Sequence, residues 1–398
     1  AGAHWMHGGE ANQFWEWAKP RYPDLKYSVD TVENIHAVTA EGIKGPEFRE
    51  ENFQVFADAW EKFSTENPDK DISLAELQNK YIGTENSKAF ADFMAQCWMG
   101  ATGPDKISCT DYFSDPNGPG GVQVKGGNQQ IIDRMAKEAL EAGVTIKTGV
   151  RITDVMQTKS GYQLSDSEGG QYSAAHVAMS VPLAVLKKGL INFDPPLSPD
   201  TQKQMDGIGS VPMTKVFLPV KEEFFTKNNI KKDTHIDIAI NGQPPAFAHL
   251  YSNGTAGITF LMGGDLALRF EKAEMKNQIG ALKELMKKIP QLNGVTDYSD
   301  GPMFVSDWNT NPLALGAYTA ALPGNKRQGV MTENNTRFGG GGSSTLSFIG
   351  EGACYSTDGA GGMSSAHMSG KRAAQNIHAK MNPGPKPGPN LDNFYVLD

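Results

Sequence analysis

The chain has 398 residues, a length that sets an expectation of two or three domains at roughly 150 residues each. Its 44 glycines follow no three-residue period, which excludes collagen, and a hydrophobic fraction of 39% excludes wholesale disorder. The 37 basic and 45 acidic residues leave a net charge of −8 with no basic block, which argues against a nucleic-acid partner. No apolar stretch approaches the roughly 18 residues of a membrane span.

In chain order, residues 47–66 space Phe48, Phe53, Phe56, Ala57, Trp60 and Phe63 at helical intervals. Residues 73–81 and 86–99 read as two further amphipathic helices, the first opened by Ser73 with Glu76 in a capping box. Residues 30–100 are therefore expected to be mostly helical, and 114–121 a Gly/Pro loop. A helix over 127–142, stopped by Gly143, leads into short strands at 144–148, 151–156, 161–165 and 175–181. A short helix at 197–207 precedes a strand at 213–220. Residues 265–288 read as one long helix ended by Pro290, followed by strands at 302–307 and 346–350 and a last helix at 362–380. The proline-rich stretch 381–398 reads as an extended surface arm.

Cys97, Cys109 and Cys354 form no CxxC pair, so no metal-ligating set is read here; free thiols or a Cys97–Cys109 bridge both fit the count. No signal peptide is visible, and a processed N-terminus would have lost one, so the compartment stays open between cytoplasmic and exported. The cluster Gly118-Pro119-Gly120-Gly121 follows no strand and fails the context of a dinucleotide loop, and the run Gly339–Gly342 reads as a flexible loop. Residues 346–374 differ. A strand, Leu346–Ile349, runs into Gly350-Glu351-Gly352, and a helix follows whose N-terminus carries Gly361, Gly362, Ser364 and Ser365. Free N–H groups and small residues there suit an anionic or electron-rich ligand edge, or else close helix–sheet packing.

With four other segments, this one resembles the flavin-containing amine oxidases, the family of monoamine, polyamine and spermine oxidases and of lysine-specific histone demethylases. Gly2-Ala3-His4-Trp5-Met6-His7-Gly8 is similar to the GAxWxHG segment of polyamine-oxidase-like members. Gly126-Gly127-Asn128 and Val150-Arg151-Ile152 resemble the stretch leading to the adenine site. Ser180 through Gly189 with Phe193-Asp194-Pro195-Pro196-Leu197 resembles the family's PLGVL and F.PPL stretch, and Ile208 through Phe225 resembles the segment carrying its lysine.

The resemblance implies a mixed α/β fold: a Rossmann-like FAD-binding domain (1–25, 120–196 and 320–380) and a substrate domain of mixed sheet and helices (26–119 and 197–319). It implies hydride transfer from the carbon beside an amine to flavin N5, hydrolysis of the resulting imine, and reduction of oxygen to hydrogen peroxide. Lys215 would hold a water near N5, Trp308 and Tyr318 would lie near flavin and substrate, and His7 would help read the amine, with His4 and Glu10 as weaker candidates. Ala3, Trp5, Val150, Pro182, Gly350, Glu351, Gly362 and Met363 would contact the FAD. Ala317 stands where monoamine oxidases carry their flavin-linking cysteine, so the FAD is expected to be non-covalent. Gly362 stands in place of the second sandwich tyrosine, and His367 is expected to be structural.

The family's opening GxGxxG unit is absent from the sequence, and the expectation is a second, shorter chain supplying it, a truncation, or a true loss. The alternatives to an amine oxidase are an L-amino-acid oxidase of the same superfamily and a non-catalytic flavin-fold subunit.

Overall fold

The computed structural model describes residues 3–30, 34–114, 121–251, 255–329, 331–334, 345–355 and 362–382. Gly2, the Gly118–Gly120 and Gly339–Gly342 runs, Gly361 and nearly all of the 381–398 arm lie outside them.

The architecture is mixed α/β, built around a seven-stranded sheet. Its spatial order is β16 (Phe304–Val305), β12 (Met213–Pro219), β15 (Gly257–Gly263), β14 (Ala246–Leu250), β13 (Thr234–Ile238), β3 (Ile35–Thr39) and β4 (Gly42–Lys44). All neighbours are antiparallel except β13 and β3. Alternation of side chains along each strand gives this sheet two unlike faces. Val216, Ile236, Ile238, Ala248, Leu250, Ile258, Phe260 and Met262 point to one side and join Phe270, Leu282, Leu285 and Met286 in an apolar core. Those last four come from α10 (Gly264–Lys272) and α11 (Met275–Lys287). By the same alternation, Lys215, His235, Asp237, Phe247, His249 and Leu261 face the other way. Over part of that face packs a helical lobe of α2 (Pro46–Glu66), α3 (Leu74–Leu77), α4 (Glu85–Phe93) and α5 (Cys109–Phe113), centred on Phe56, Phe90 and Phe93.

A three-stranded sheet joins β1 (Met6–His7), β5 (Gly121–Val124) and β2 (Tyr27–Val29). With α1 (Gln13–Arg21) and α6 (Gln129–Glu141) it shares a core of Phe14, Trp15, Val122, Val124 and Ile131. A third region holds the meander β6 (Ile152–Thr158), β7 (Gly161–Asp166) and β8 (Gln171–Ala174), with β10 (Asn192–Asp194) parallel to β6. Next to it lies a sheet of β18 (Met331–Asn334), β19 (Thr345–Phe348) and β9 (His176–Met179), the last two parallel. α7 (Leu183–Lys187), α8 (Pro199–Asp206), α9 (Glu222–Lys227) and the paired strands β11 (Ile208–Ser210) and β17 (Thr319–Ala321) complete the connections, and α12 (Met363–Met381) closes the described chain.

Three expectations need correction. Residues 144–148 are not a strand: Val144, Ile146 and Val150 are exposed, and no strand pairs with them among the described residues. The helix read over 265–288 is two helices, broken where Ala273 turns extended at ψ 148° and the buried Gln278 side chain donates to the Phe270 carbonyl at 2.9 Å. The 30–100 stretch opens with the strands β3 and β4 rather than with helix. The helices expected at 73–81 and 86–99 do form, but each ends in a π turn, Gln78–Ile82 and Met94–Trp98. All three cysteines are buried thiols outside any disulfide.

Candidate active site

The site is built on the polar face of the seven-stranded sheet. Lys215 sits mid-strand in β12, 8% exposed, with its backbone N–H donating to Ser306 Oγ at 2.9 Å. Its ammonium lies between two indoles, 5.8 Å from the Trp5 ring and 5.9 Å from the Trp308 ring. Burial lowers its pKa from 10.5 to about 8.

Trp5 is held by its neighbours. It stacks on His249 at 5.4 Å and meets Phe247 edge-on at 5.8 Å. A Cβ on Gly121 would come within 2.9 Å of the Trp5 ring, so β5 needs a glycine where it passes beneath the indole. Trp308 sits in a turn fixed from below. The backbone N–H of Asn309 donates to Glu271 Oε2 at 3.0 Å and its side-chain Nδ2 to the Met213 carbonyl at 3.1 Å. Thr214 Oγ1 donates to the same Glu271 at 2.8 Å. Gly316, at φ 149° with Ser210 Oγ 2.3 Å from where a Cβ would be, lets the chain turn back toward Tyr318. The Tyr318 hydroxyl donates to the Trp98 carbonyl at 2.5 Å, at the end of a π turn, and burial pushes its pKa up.

Of the expected cofactor contacts, Ala3, Gly362 and Met363 come together. Asn128 Nδ2 donates to the Ala3 carbonyl at 3.0 Å and lies 3.4 Å from Met363 Sδ, and Gly362 caps α12. Asn128 Oδ1 is buried with no hydrogen-bond partner. A polar ligand edge against the α12 N-terminus would satisfy it, so these residues fit a flavin.

Gly350, at φ 111°, donates its N–H to Ser369 Oγ at 2.8 Å and ties the turn to α12. Glu351 faces a protein network. Its Oε2 accepts from Thr319 Oγ1 at 2.8 Å, and the buried Arg327 donates to Thr319 Oγ1 at 2.7 Å and to Asp111 at 3.2 Å.

His7 is exposed, with its ring 6.3 Å from that of Trp5. Val150 and Pro182 are exposed as well, and the structure does not join them to the group around Lys215. His4 Nε2 donates to Gln123 Oε1 at 2.7 Å, and burial together with the Lys215 charge lowers its pKa to about 3. Glu10 is taken up at the surface by Lys19 and Tyr27, each at 2.7 Å. His367 packs against Phe14 and Trp17, at 5.2 and 4.9 Å.

Several residues at the site were not anticipated. His235, Asp237 and His249 sit on β13 and β14, and the alternation of THIDI in β13 is legible in the sequence. Asp237 takes a bidentate ion pair from Arg49 of α2, at 2.7 and 2.5 Å, and burial still pushes its pKa up. Glu271 carries no local signal.

The sequence profile of the flavin containing amine oxidoreductase family matches residues 2–378. The chain belongs to this family. It is 25% identical to polyamine oxidase 4 of Oryza sativa subsp. japonica over 61% of this chain and 47% of that one. It is 27% identical to lysine-specific histone demethylase 1B of Mus musculus over 48% of this chain and 23% of that one. The chain thus spans about half the length of the plant relative. Among solved structures, cyclohexylamine oxidase from Brevibacterium oxydans IH-35A superposes with a TM-score of 0.67 at 16% identity, covering 94% of this chain and 86% of that one. A putrescine oxidase triple mutant superposes with a TM-score of 0.70 at 14% identity, covering 95% and 87%. These two superpositions establish the shared fold.

Proposed function

We propose that the chain carries the amine-oxidising site of an FAD-dependent enzyme that acts on primary or secondary amines of the polyamine type and passes electrons to oxygen, giving hydrogen peroxide. When bound, FAD supplies the acceptor for a hydride from the carbon beside the amine. The protein's part is to desolvate, orient and manage protons. Trp5 and Trp308 wall the site and exclude water from the Lys215 side chain. Lys215 Nζ, at a pKa of about 8, exchanges a proton near neutral pH, where an ordinary lysine would stay charged. Ala3, Asn128, Gly362 and Met363 would hold the non-covalent cofactor, and Glu351 would support that pocket through Thr319. Domain boundaries at about 25, 119, 196 and 319 fit this division of labour.

The observation that carries the reading is the buried Lys215 between two tryptophans in a chain of this family. The amino-acid oxidase alternative needs an arginine for the substrate carboxylate. Arg49 of the lobe, half-buried, and Arg327 beside the Glu351 turn, buried, are already paired with Asp237 and Asp111. The relatives to which the chain is similar lend no support to the expected second polypeptide. A peroxide-release assay over putrescine, spermidine, cyclohexylamine and L-α-amino acids tests the proposal. Turnover of the amines supports it, and turnover of α-amino acids alone overturns it.

A further inference from the structure

Beside the lysine, and not used by the chemistry above, lies a buried group of three potential ligands. His235 and His249 face each other across the β13–β14 ladder as a register pair, with ring centroids 4.2 Å apart. Asp30 follows β2 of the small sheet and brings a carboxylate oxygen to 3.7 Å from His235 Nε2. One ligand atom from each of the three lies within 4.8 Å of the others.

The group is enclosed. His249 is 0% exposed and His235 6%. Trp5 stacks on His249, and Phe247 meets His235 edge-on at 5.2 Å. Yet neither ring nitrogen of His249 has a hydrogen-bond partner, and neither has His235 Nε2. Leaving a buried polar group unsatisfied costs about 1–3 kcal/mol, so two buried imidazoles with unsatisfied nitrogens, gathered with a carboxylate, ask for a ligand. The donor set is two imidazoles and a carboxylate, which is the ligand chemistry of zinc-class cations.

We propose that Asp30, His235 and His249 form a binding site for a divalent transition-metal cation of the zinc class. Metal–ligand bonds of about 2.0–2.1 Å in a tetrahedral arrangement put ligand atoms roughly 3.3 Å apart. The 3.7 Å between Asp30 and His235 is close to that already, and Asp233 Oδ1 lies 3.4 Å from His249 Nε2 at the edge of the group. Gln123 donates to Asp30 and bonds His4 at 2.7 Å, so it orients the carboxylate from behind. The ion would clamp the end of β2 onto β13 and β14, joining the small sheet to the large one. This inference does not depend on the flavin reading.

The test uses the full chain freed of metal by chelation, titrated with Zn(II) by calorimetry and with Co(II) by visible absorption. The expected result is saturable binding of a single ion, Co(II) bands of a non-octahedral centre, and a higher melting temperature with Zn(II). Asp30→Asn, which preserves shape, should abolish the Co(II) bands, and Gln123→Ala should weaken affinity by about 10–100-fold. Circular dichroism of the metal-free variants checks that they fold, and His235→Gln is the ligand variant to add. Absence of saturable binding below millimolar Zn(II) overturns the site. Binding left unchanged by Asp30→Asn and His235→Gln overturns it too, because the ion then sits elsewhere.

Discussion

At the scale of the single residue, Lys215 is where structure and chemistry pull in opposite directions. A fall from 10.5 to about 8 corresponds to a penalty on the order of 3 kcal/mol on the charged form. Below about pH 8 both folded and unfolded chains are protonated there, so the whole penalty weighs on the folded state. Between about 8 and 10.5 the unfolded chain alone holds the proton, and stability from this group rises with pH. Lys215→Met should therefore stabilise the fold by up to about 3 kcal/mol at pH 7, with the gain shrinking toward pH 10, while amine turnover is lost. Urea unfolding of both proteins at several pH values measures the first, and the peroxide assay the second. A merely structural lysine would not show stability gained and turnover lost together.

At the scale of elements, two contacts decide how the helical lobe meets the sheet. The Arg49–Asp237 pair joins α2 to β13, with the Asp237 carboxylate fully buried and Arg49 half-buried. Removing one partner strands the other charge, so Arg49→Met should cost about 3–5 kcal/mol, and Arg49→Met with Asp237→Asn together should cost less than Arg49→Met alone. Denaturant titrations of the single and double variants complete that cycle. Gly263 ends β15 with no room beside it: a Cβ would stand 1.5 Å from the Gln96 carbonyl oxygen in the π turn. Gly263→Ala should destabilise by about 3 kcal/mol or more. Gly280→Ala, in α11 with nothing within 4 Å, should stabilise by roughly 0.5–1 kcal/mol. Melting curves of the two alanine variants separate the cases.

The elements also show what the sequence could and could not say. Helical periodicity in 47–66 and the capping box at Ser73 were legible because they are local, and α2 and the Ser73 box form as read. The strands β13, β14 and β15 were missed, although THIDI in β13 alternates. They form the middle of a sheet buried on both faces, one apolar and the other mixing Phe247 and Leu261 with Lys215, His235, Asp237 and His249, which blurs the period-two pattern in β14 and β15. The strand expected at 144–148 has β-branched residues at four of five positions but finds no pairing partner among the described residues, and composition alone cannot supply the hydrogen bonds a strand needs. Lys215, Trp308 and Trp5 could be singled out through family resemblance. That His235 and His249 meet Asp30 could not, because the contact spans about 200 residues and depends on register.

At the scale of the whole molecule, the seven-stranded sheet works as a partition. Its apolar face carries the packing against α10 and α11, and its polar face carries Lys215, the histidine pair and the Arg49–Asp237 bridge. The Glu351 turn reaches the helical lobe through Thr319 and Arg327, whose guanidinium also binds Asp111 of α5, so one buried network ties that turn to the lobe. The central claim is that this arrangement, in a member of the flavin-containing amine oxidoreductase family, oxidises amines. Anaerobic mixing of the protein with putrescine or spermidine, followed by visible absorption, tests it most directly. The account predicts that the flavin absorbance bleaches on mixing and returns when oxygen is admitted, with the bleaching slowed severely in Lys215→Met. A protein that carries no flavin, or a flavin that keeps its absorbance in the presence of every amine tried, would contradict it.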